Sequence, residues 1–294
     1  MVTYSIIIPH RNIPQLLNRC INSIPCRSDI EIIVIDDNSS PNLKPLLLRD
    51  GVQLINLDTT QSKGAGYARN VGLSVASGKW LLFADADDYF VDGFIDILDN
   101  YVSEDIDVLY YGYNFIDGKS NRILNNEIGE CAILAAYENN EYNNDHIRFK
   151  NYAPWSKMVR REYVNKHNFK FEEVMNGNDM LFSLLVASNT ENYLVERSPI
   201  YVYVKTDDSL TTGRLSIEAH MCRIEHYMKL KEFYKVINRT EWATSVIRYI
   251  CYIGKSEGLV RFVKLFMTYL FKYPGLYNRR KMFIEITNIG PQSR

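Results

Sequence analysis

The sequence has little cysteine. Its five residues, Cys20, Cys26, Cys131, Cys222 and Cys251, are odd in number and scattered, and no two form a C-x-x-C pair. Neither a disulfide framework nor a zinc site is expected from them, and such thiols suit a reducing compartment. The sequence also lacks an uncharged apolar stretch long enough to span a bilayer. The strand-like run Tyr4 to Ile8 is broken by Pro9 and is too short for the apolar centre of a secretory leader, so a cytoplasmic protein is expected. Net charge is nearly absent: 34 basic against 35 acidic residues leave -1. That excludes a strongly basic nucleic-acid binder at whole-chain level, and no nucleic-acid partner is expected. There is no internal repeat and no linker that would separate two independent domains. A chain of 294 residues, 46% hydrophobic and 23% charged, is left as an ordinary globular protein with room for one large core or two modest ones.

What is present is a series of short apolar runs that stop at breakers or acids. The clearest is Leu81-Leu82-Phe83-Ala84-Asp85-Ala86-Asp87-Asp88-Tyr89-Phe90. A sheet interior does not hold unpaired carboxylates, so the chain surfaces at Asp85. In an open α/β sheet, ligands bind outside the carboxyl ends of the strands. Three acids there form either a hard oxygen site, suited to Mg or Mn carrying a diphosphate, or an acidic loop capping the next helix. Tyr4 to Pro9 and Ile30 to Ser39 follow the same design, and Leu16, Leu17, Cys20, Ile21 and Ile24 recur between them at helical spacing. Val52 to Leu57 reads as a third strand, Gly66 to Ala76 as a helix stopped by Ser77-Gly78, and Trp80 to Ala84 as the fourth strand. The first ninety residues therefore read as a doubly wound nucleotide-binding half. Further on, Val108 to Phe115 reads as a strand with a turn at Asp117-Gly118, and Asn139 to Asn144 as an exposed loop.

Five strings in order carry a family resemblance. Ser5-Ile6-Ile7-Ile8-Pro9-His10-Arg11-Asn12, EIIVIDDNS over Glu31 to Ser39, Gly66-Tyr67-Ala68-Arg69-Asn70-Val71-Gly72, Ala76-Ser77-Gly78-Lys79-Trp80 and LLFADADDYF together resemble glycosyltransferase family 2. A later block, Pro154-Trp155-Ser156-Lys157 through Asn178-Asp179-Met180-Leu181-Phe182, is similar to that family's acceptor-side segment. The resemblance implies an α/β GT-A fold with a doubly wound, Rossmann-like mixed sheet. It implies an inverting enzyme that moves a sugar from a nucleotide-diphospho-sugar, a UDP-sugar first among them, to a hydroxyl of a saccharide or polyprenol-linked acceptor. Bacterial surface polysaccharide or glycoconjugate assembly is the expected setting. The expected organisation is a catalytic domain over residues 1-215, with a nucleotide-sugar half (1-100) and an acceptor half (101-215), then a helical basic region over 216-294.

The same resemblance assigns roles. Asp87 matches the family's ligand to a Mn or Mg ion, and Asp85 faces the ribose or reaches the metal through water. Asp88 contributes there or caps the following helix. Pro9 ends the first strand and lets the backbone meet the base. Arg11 stands where the family often has an aromatic residue, and its planar guanidinium can also stack on a base. Asp36 matches a position that hydrogen-bonds the base. Asp37 binds the nucleotide sugar, orients the loop, or forms an Asx-turn with Asn38-Ser39. Arg69 reaches the base or phosphates, or pairs with Asp36 or Asp37. Asp179 aligns with the general base and Phe182 with an aromatic three residues on, but Asn178 replaces the family's Glu, so a base role rests on Asp179 alone. The alternative for Asp179 is a helix N-cap.

Other residues are less committed. Trp155 is either a sugar platform or a core residue. Lys205 and Arg214, flanking Asp207-Asp208-Ser209, are a candidate closure over the diphosphate. The histidines lack ligand spacing, with His220 the best of them as an extra metal ligand. Two rival functions make different demands on the sequence. A nucleotidyltransferase needs a glycine-rich phosphate loop after the first strand, where this chain has Pro9-His10-Arg11-Asn12-Ile13-Pro14. A non-catalytic nucleotide-sugar-binding protein is hinted at only by Asn178.

Charge is uneven along the chain. From Ser245 to Arg294 nine basic residues face two acids, a balance of +7, against -8 in the remainder. Leu259 to Phe271 is mostly apolar, with Arg261, Lys264 and Thr268 along one helical face, and Tyr269, Phe271, Tyr273 and Tyr277 suit a core or an interface alike. This pattern fits a membrane-surface helix or a helix packed on the catalytic domain.

Overall fold

The computed structural model describes residues 1–45, 49, 51–58, 60–124, 144–174, 177–205 and 216–273. Cys131, residues 139–143, Asp207, Asp208, Ser209, Arg214 and Tyr277 lie outside them. The described chain falls into two compact units, one reaching Lys205 and the other starting at Ser216.

The first unit is built on three parallel crossovers. β1 (Tyr4–His10) pairs in parallel with β2 (Ile30–Asp36) and with β4 (Trp80–Phe83), and β2 pairs in parallel with β3 (Val52–Asn56). Parallel neighbours need a crossover, and α1 (Pro14–Asn22) and α2 (Ala65–Val75) supply two of them. The sheet continues antiparallel through β7 (Lys157–Arg160) and β6 (Val108–Asp117) to β8 (Tyr193–Lys205), which runs parallel to β6 and pairs antiparallel with the short β5 (Tyr89–Phe90). The order of the eight described strands is β3-β2-β1-β4-β7-β6-β8-β5. Strand alternation divides the core between the two faces. Ile6, Ile8, Val34 and Leu82 join Leu17 and Cys20 of α1 and Leu98 of α3 (Phe94–Asp99) on one side. Ile7, Ile33, Ile35, Leu81 and Phe83 join Ala68 of α2, Val164 of α5 (Arg161–His167) and Phe182 of α6 (Met180–Ser188) on the other. The remaining described helix of this unit is α4 (Asn144–Lys150).

Pro9 does not end β1, as the sequence suggests. It lies inside the strand, in register with Ile35. In a parallel ladder alternate residues turn both polar groups to the same side. Ile7 carbonyl accepts from Ala84 on the β4 side and His10 carbonyl accepts from Asp37 on the β2 side. Pro9 therefore turns its missing N–H toward β4, whose ladder has already stopped at Phe83 opposite Ile7. The sheet loses no bond to the proline.

Among its described residues the second unit holds three α-helices, α7 (Ile217–Val236), α8 (Val246–Glu257) and α9 (Leu259–Lys272). Ser216 and Ser245 cap α7 and α8 by accepting from the N–H groups of Ala219 and Arg248. Gly258, at φ +99, permits the abrupt turn between α8 and α9. Met221, Ile224, Ile250, Ile253 and Leu265 form the core of this unit. His220 is buried there, its Nδ1 2.7 Å from Tyr249 Oη and its Nε2 3.2 Å from Glu257, and burial lowers its pKa. It belongs to the helical core and is not the extra metal ligand considered from sequence.

Candidate active site

The carboxyl ends of β1, β2 and β4 converge, and each delivers polar residues there. At the end of β2, Asp36 is buried. Its carboxylate accepts from His10 Nδ1 at 2.9 Å, from the Ser39 N–H at 3.2 Å and from the Ser39 hydroxyl. His10 Nε2 accepts from the Ile13 N–H, so the ring proton sits on Nδ1 and points at Asp36. Asp37 is buried as well and accepts from Ser62 Oγ at 2.5 Å and from the N–H groups of Lys63 and Gly64 at 2.8 Å each. The turn toward Ser39, one of the readings of Asp37, is made by Asp36, and Asp37 orients the loop leading into α2, as another of those readings has it. Neither pairs with Arg69. Arg11 is exposed beside them and Pro9 is half-buried.

The end of β4 carries the acids. The Asp85 N–H donates to Tyr201 Oη at 2.8 Å, and that hydroxyl donates to buried Asp88 at 3.0 Å. Asp88 also accepts from the Val204 N–H at 2.8 Å. It therefore ties the acid turn to β8 and does not cap α3. Burial pushes its pKa well above the usual carboxylate range. Asp87 is half-buried, and Arg19 of α1 donates to its carbonyl. Burial first, then the charge of Asp85, push the Asp87 carboxyl up to about 6. Asp85 itself accepts from Arg69 Nη2 at 2.5 Å.

Arg69 connects this turn to the acceptor side. It is buried on α2, its other arm donates to Asn178 Oδ1 at 2.7 Å, and it lies over the Phe171 ring at 5.4 Å. Its neighbour Asn70 reads the backbone of Phe171 in both directions, donating to the carbonyl at 3.0 Å and accepting from the N–H at 2.9 Å. Gly66, one turn earlier, admits the same segment: a Cβ there would stand 2.0 Å from Glu172 O and 2.8 Å from Asn178 Cβ. Three residues of one helix thus dock the segment that precedes Asp179.

Asp179 occupies the N-cap position of α6, yet its side chain makes no capping bond. Burial raises its pKa, and the positive charges of Arg69 and Lys157 oppose that rise. Lys157 is wholly buried and donates to Asn151 O, Ala153 O and Ser183 Oγ. Phe182 is wholly buried, stacked on Phe171 at 4.0 Å. Trp155 is a core residue, stacked on Tyr201 at 5.0 Å.

Among the described residues no three metal-type side chains cluster tightly enough to hold an ion by themselves. A magnesium-like ion does not need that, because it commonly takes one or two carboxylates and completes its shell with phosphates and water. Asp85 and Asp87 present carboxylate oxygens, the donor type such an ion takes. The site fits such an ion.

A mixed sheet whose parallel strands end in an acid turn is the fold of GT-A glycosyltransferases. The structure of Staphylococcus aureus TarS residues 1–349 in complex with UDP-GlcNAc superposes with a TM-score of 0.58 at 19% identity, over 78% of this chain and 67% of that one. Residues 5–167, more than half of the chain, match Glycosyl transferase family 2, and the protein belongs to that family. It is 25% identical over 238 residues to the poly(ribitol-phosphate) beta-N-acetylglucosaminyltransferase TarP of Staphylococcus aureus, covering 79% of this chain and 68% of the relative. Over a shorter stretch of 120 residues it is 31% identical to the UDP-Glc:alpha-D-GlcNAc-diphosphoundecaprenol beta-1,3-glucosyltransferase WfgD of Escherichia coli, covering 40% and 47%.

Proposed function

We propose that this site transfers a sugar from a UDP-sugar to an acceptor hydroxyl with inversion, at the cytoplasmic side of the cell, during assembly of a surface glycan. The observation that carries the reading is Arg69, which binds Asp85 of the acid turn and Asn178, the residue before Asp179. It makes one site of two segments far apart in the chain. The donor class rests on the UDP-GlcNAc held by the structural neighbour and the UDP-Glc in the name of one relative. The acceptor class, a polyol phosphate polymer or a lipid-linked saccharide, rests on the names of the same relatives.

Asp87, with Asp85 beside it, would hold a Mn or Mg ion, which when bound neutralises charge growing on the departing diphosphate. Asp179 takes the proton of the acceptor hydroxyl. The freed oxygen bonds to the anomeric carbon while the bond from that carbon to the diphosphate oxygen breaks, so the nucleoside diphosphate leaves and the configuration inverts. Arg69 orients Asp85 and, through Asn178, the base. Asp36 and Asp37 act on the donor through the loops they brace, and exposed Arg11 offers a flat cation for the base ring.

The test is release of UDP from a panel of UDP-sugars, with and without Mn or Mg and candidate acceptors. Acceptor-stimulated, ion-dependent release from at least one sugar that is lost in Asp179→Asn is the expected result. Failure of every UDP-sugar both to bind and to turn over would overturn it.

A further inference from the structure

The second unit leaves one surface uncovered by its own helices. Leu265 and Tyr269 of α9 are buried, but Val260, Val263, Met267 and Phe271 lie along its opposite side and are exposed, Val260 by 82% and Phe271 by 79%. Their spacing of three and four residues makes a single apolar stripe. Leu259 is 74% exposed at the start of the same helix, and Tyr252 is 63% exposed on α8. More than half of the large hydrophobic side chains exposed anywhere in the described protein fall between residues 252 and 271. Such concentration marks an interaction surface, whereas single exposed apolar residues do not.

The charges around the stripe indicate what covers it. Arg248 and Lys255 flank Tyr252 at helical spacing on α8, and Lys264 sits beside the stripe on α9, all three exposed. The only acid between residues 246 and 273 is Glu257, which is engaged by Arg261. The chain then continues through Arg279-Arg280-Lys281. A second copy of the same face would set Arg248, Lys255 and Lys264 against each other, with Glu218 of α7 near Lys264 as a partial counter-charge. An anionic lipid surface matches both halves of the pattern, since apolar side chains enter the acyl boundary while cations meet headgroups.

We propose that α8 and α9 form a docking surface for an anionic lipid bilayer, with Val260, Val263, Met267 and Phe271 inserted and Arg248, Lys255 and Lys264 on the headgroups. This deepens the reading of a lipid-linked acceptor but is measured without any transfer, so the two can fail separately. The experiment is co-sedimentation of the full chain with phosphatidylcholine vesicles that contain or lack phosphatidylglycerol. Three exposed cations lead us to expect binding about a hundredfold tighter to the anionic vesicles at low salt, weakening as salt rises. The variant Val260→Ser, Met267→Ser, Phe271→Ser should lose binding to both vesicles while keeping its circular dichroism, because all three side chains are exposed. Lys255→Ser with Lys264→Ser should lose most of the preference for anionic lipid. Two results would overturn the proposal: negligible or equal binding of the unaltered protein to both vesicles, or a dimer in sedimentation velocity that the triple serine variant dissociates.

Discussion

Arg69 Nη2 stands 2.5 Å from Asp85 Oδ1, with the guanidinium buried and the carboxylate 32% exposed. Its other arm meets Asn178, a neutral residue where the family resemblance expects a glutamate. With only one carboxylate paired to it, the guanidinium keeps part of its field for Asp179, whose pKa it opposes. Asn178 thus leaves Asp179, the proposed base, in place beside the charge of Arg69.

That relationship makes a pH prediction for Arg69→Met. Without the guanidinium, the pKa of Asp179 rises further, so the acidic limb of the kcat/KM profile moves to higher pH. Arg69→Lys keeps the charge but not the two-armed geometry. It should leave the limb near its original place while lowering kcat. Initial rates across pH 5 to 9 would check this, and an unmoved limb in the Met variant would show that Arg69 does not act on the base.

Asp179→Asn removes the proton acceptor while keeping the side-chain shape. Transfer should fall by roughly two to four orders of magnitude, with donor affinity by calorimetry close to the unaltered protein. Because Asp179 makes no capping bond to α6, the melting temperature should not drop.

Asp87 ties stability to pH in a definite direction. Its folded pKa, about 6, lies above the ordinary 3.8, so folding disfavours the ionised form. Stability from this group is present at low pH and is lost as pH rises through about 6. In the absence of metal, Asp87→Asn should therefore be more stable than the unaltered protein at pH 7.5, by up to about 3 kcal/mol, and the difference should shrink toward pH 4. Urea unfolding at several pH values measures it. Added Mn should stabilise the unaltered protein more than the variant.

Tyr201→Phe deletes the hydroxyl between Asp85 and Asp88. Buried Asp88 then loses a donor and the Asp85 N–H loses its acceptor, at a cost of about 1–3 kcal/mol. The unfolding midpoint should fall accordingly, and the ion dependence of donor binding should weaken because the acid turn is no longer pinned to β8.

The strand ends were readable from local pattern. The run before Asp85 and the run before Asp36 are apolar because each strand is covered on both faces, and the acids follow where cover stops. The helices α2 and α6 and the strand β6 lie within a few residues of the spacing that predicts them. Pro9 was misplaced because a proline inside a strand is tolerated only if its missing N–H faces an unpaired side, and that depends on where β4 stops. Asp36 and Asp37 are adjacent, and which of them turns to Ser39 is decided by His10, Ser62 and Gly64, more than twenty residues away. Tyr201 has no local signature at all. It reads as one more aromatic in a strand, and its place between two acids comes from the pairing of β5 with β8. Trp155 was open to two roles for the same reason: an aromatic ring at a strand start suits a sugar or a core until its neighbours are known.

Gly66 has a further bearing on how this enzyme can vary. The residues proposed for the leaving diphosphate, Asp85 and Asp87, and for the acceptor, Asp179, belong to segments whose approach is gauged at a residue with no reactive atoms. A single methyl at 66 would act as a wedge, displacing main chain rather than the tip of a side chain, and main chain that leads directly to Asp179. The proposed donor contacts follow β1, β2 and β4, so donor recognition can drift without touching this gauge. The reach from nucleophile to anomeric carbon cannot, which makes Gly66 a point where a change invisible to ligand binding would surface as lost turnover.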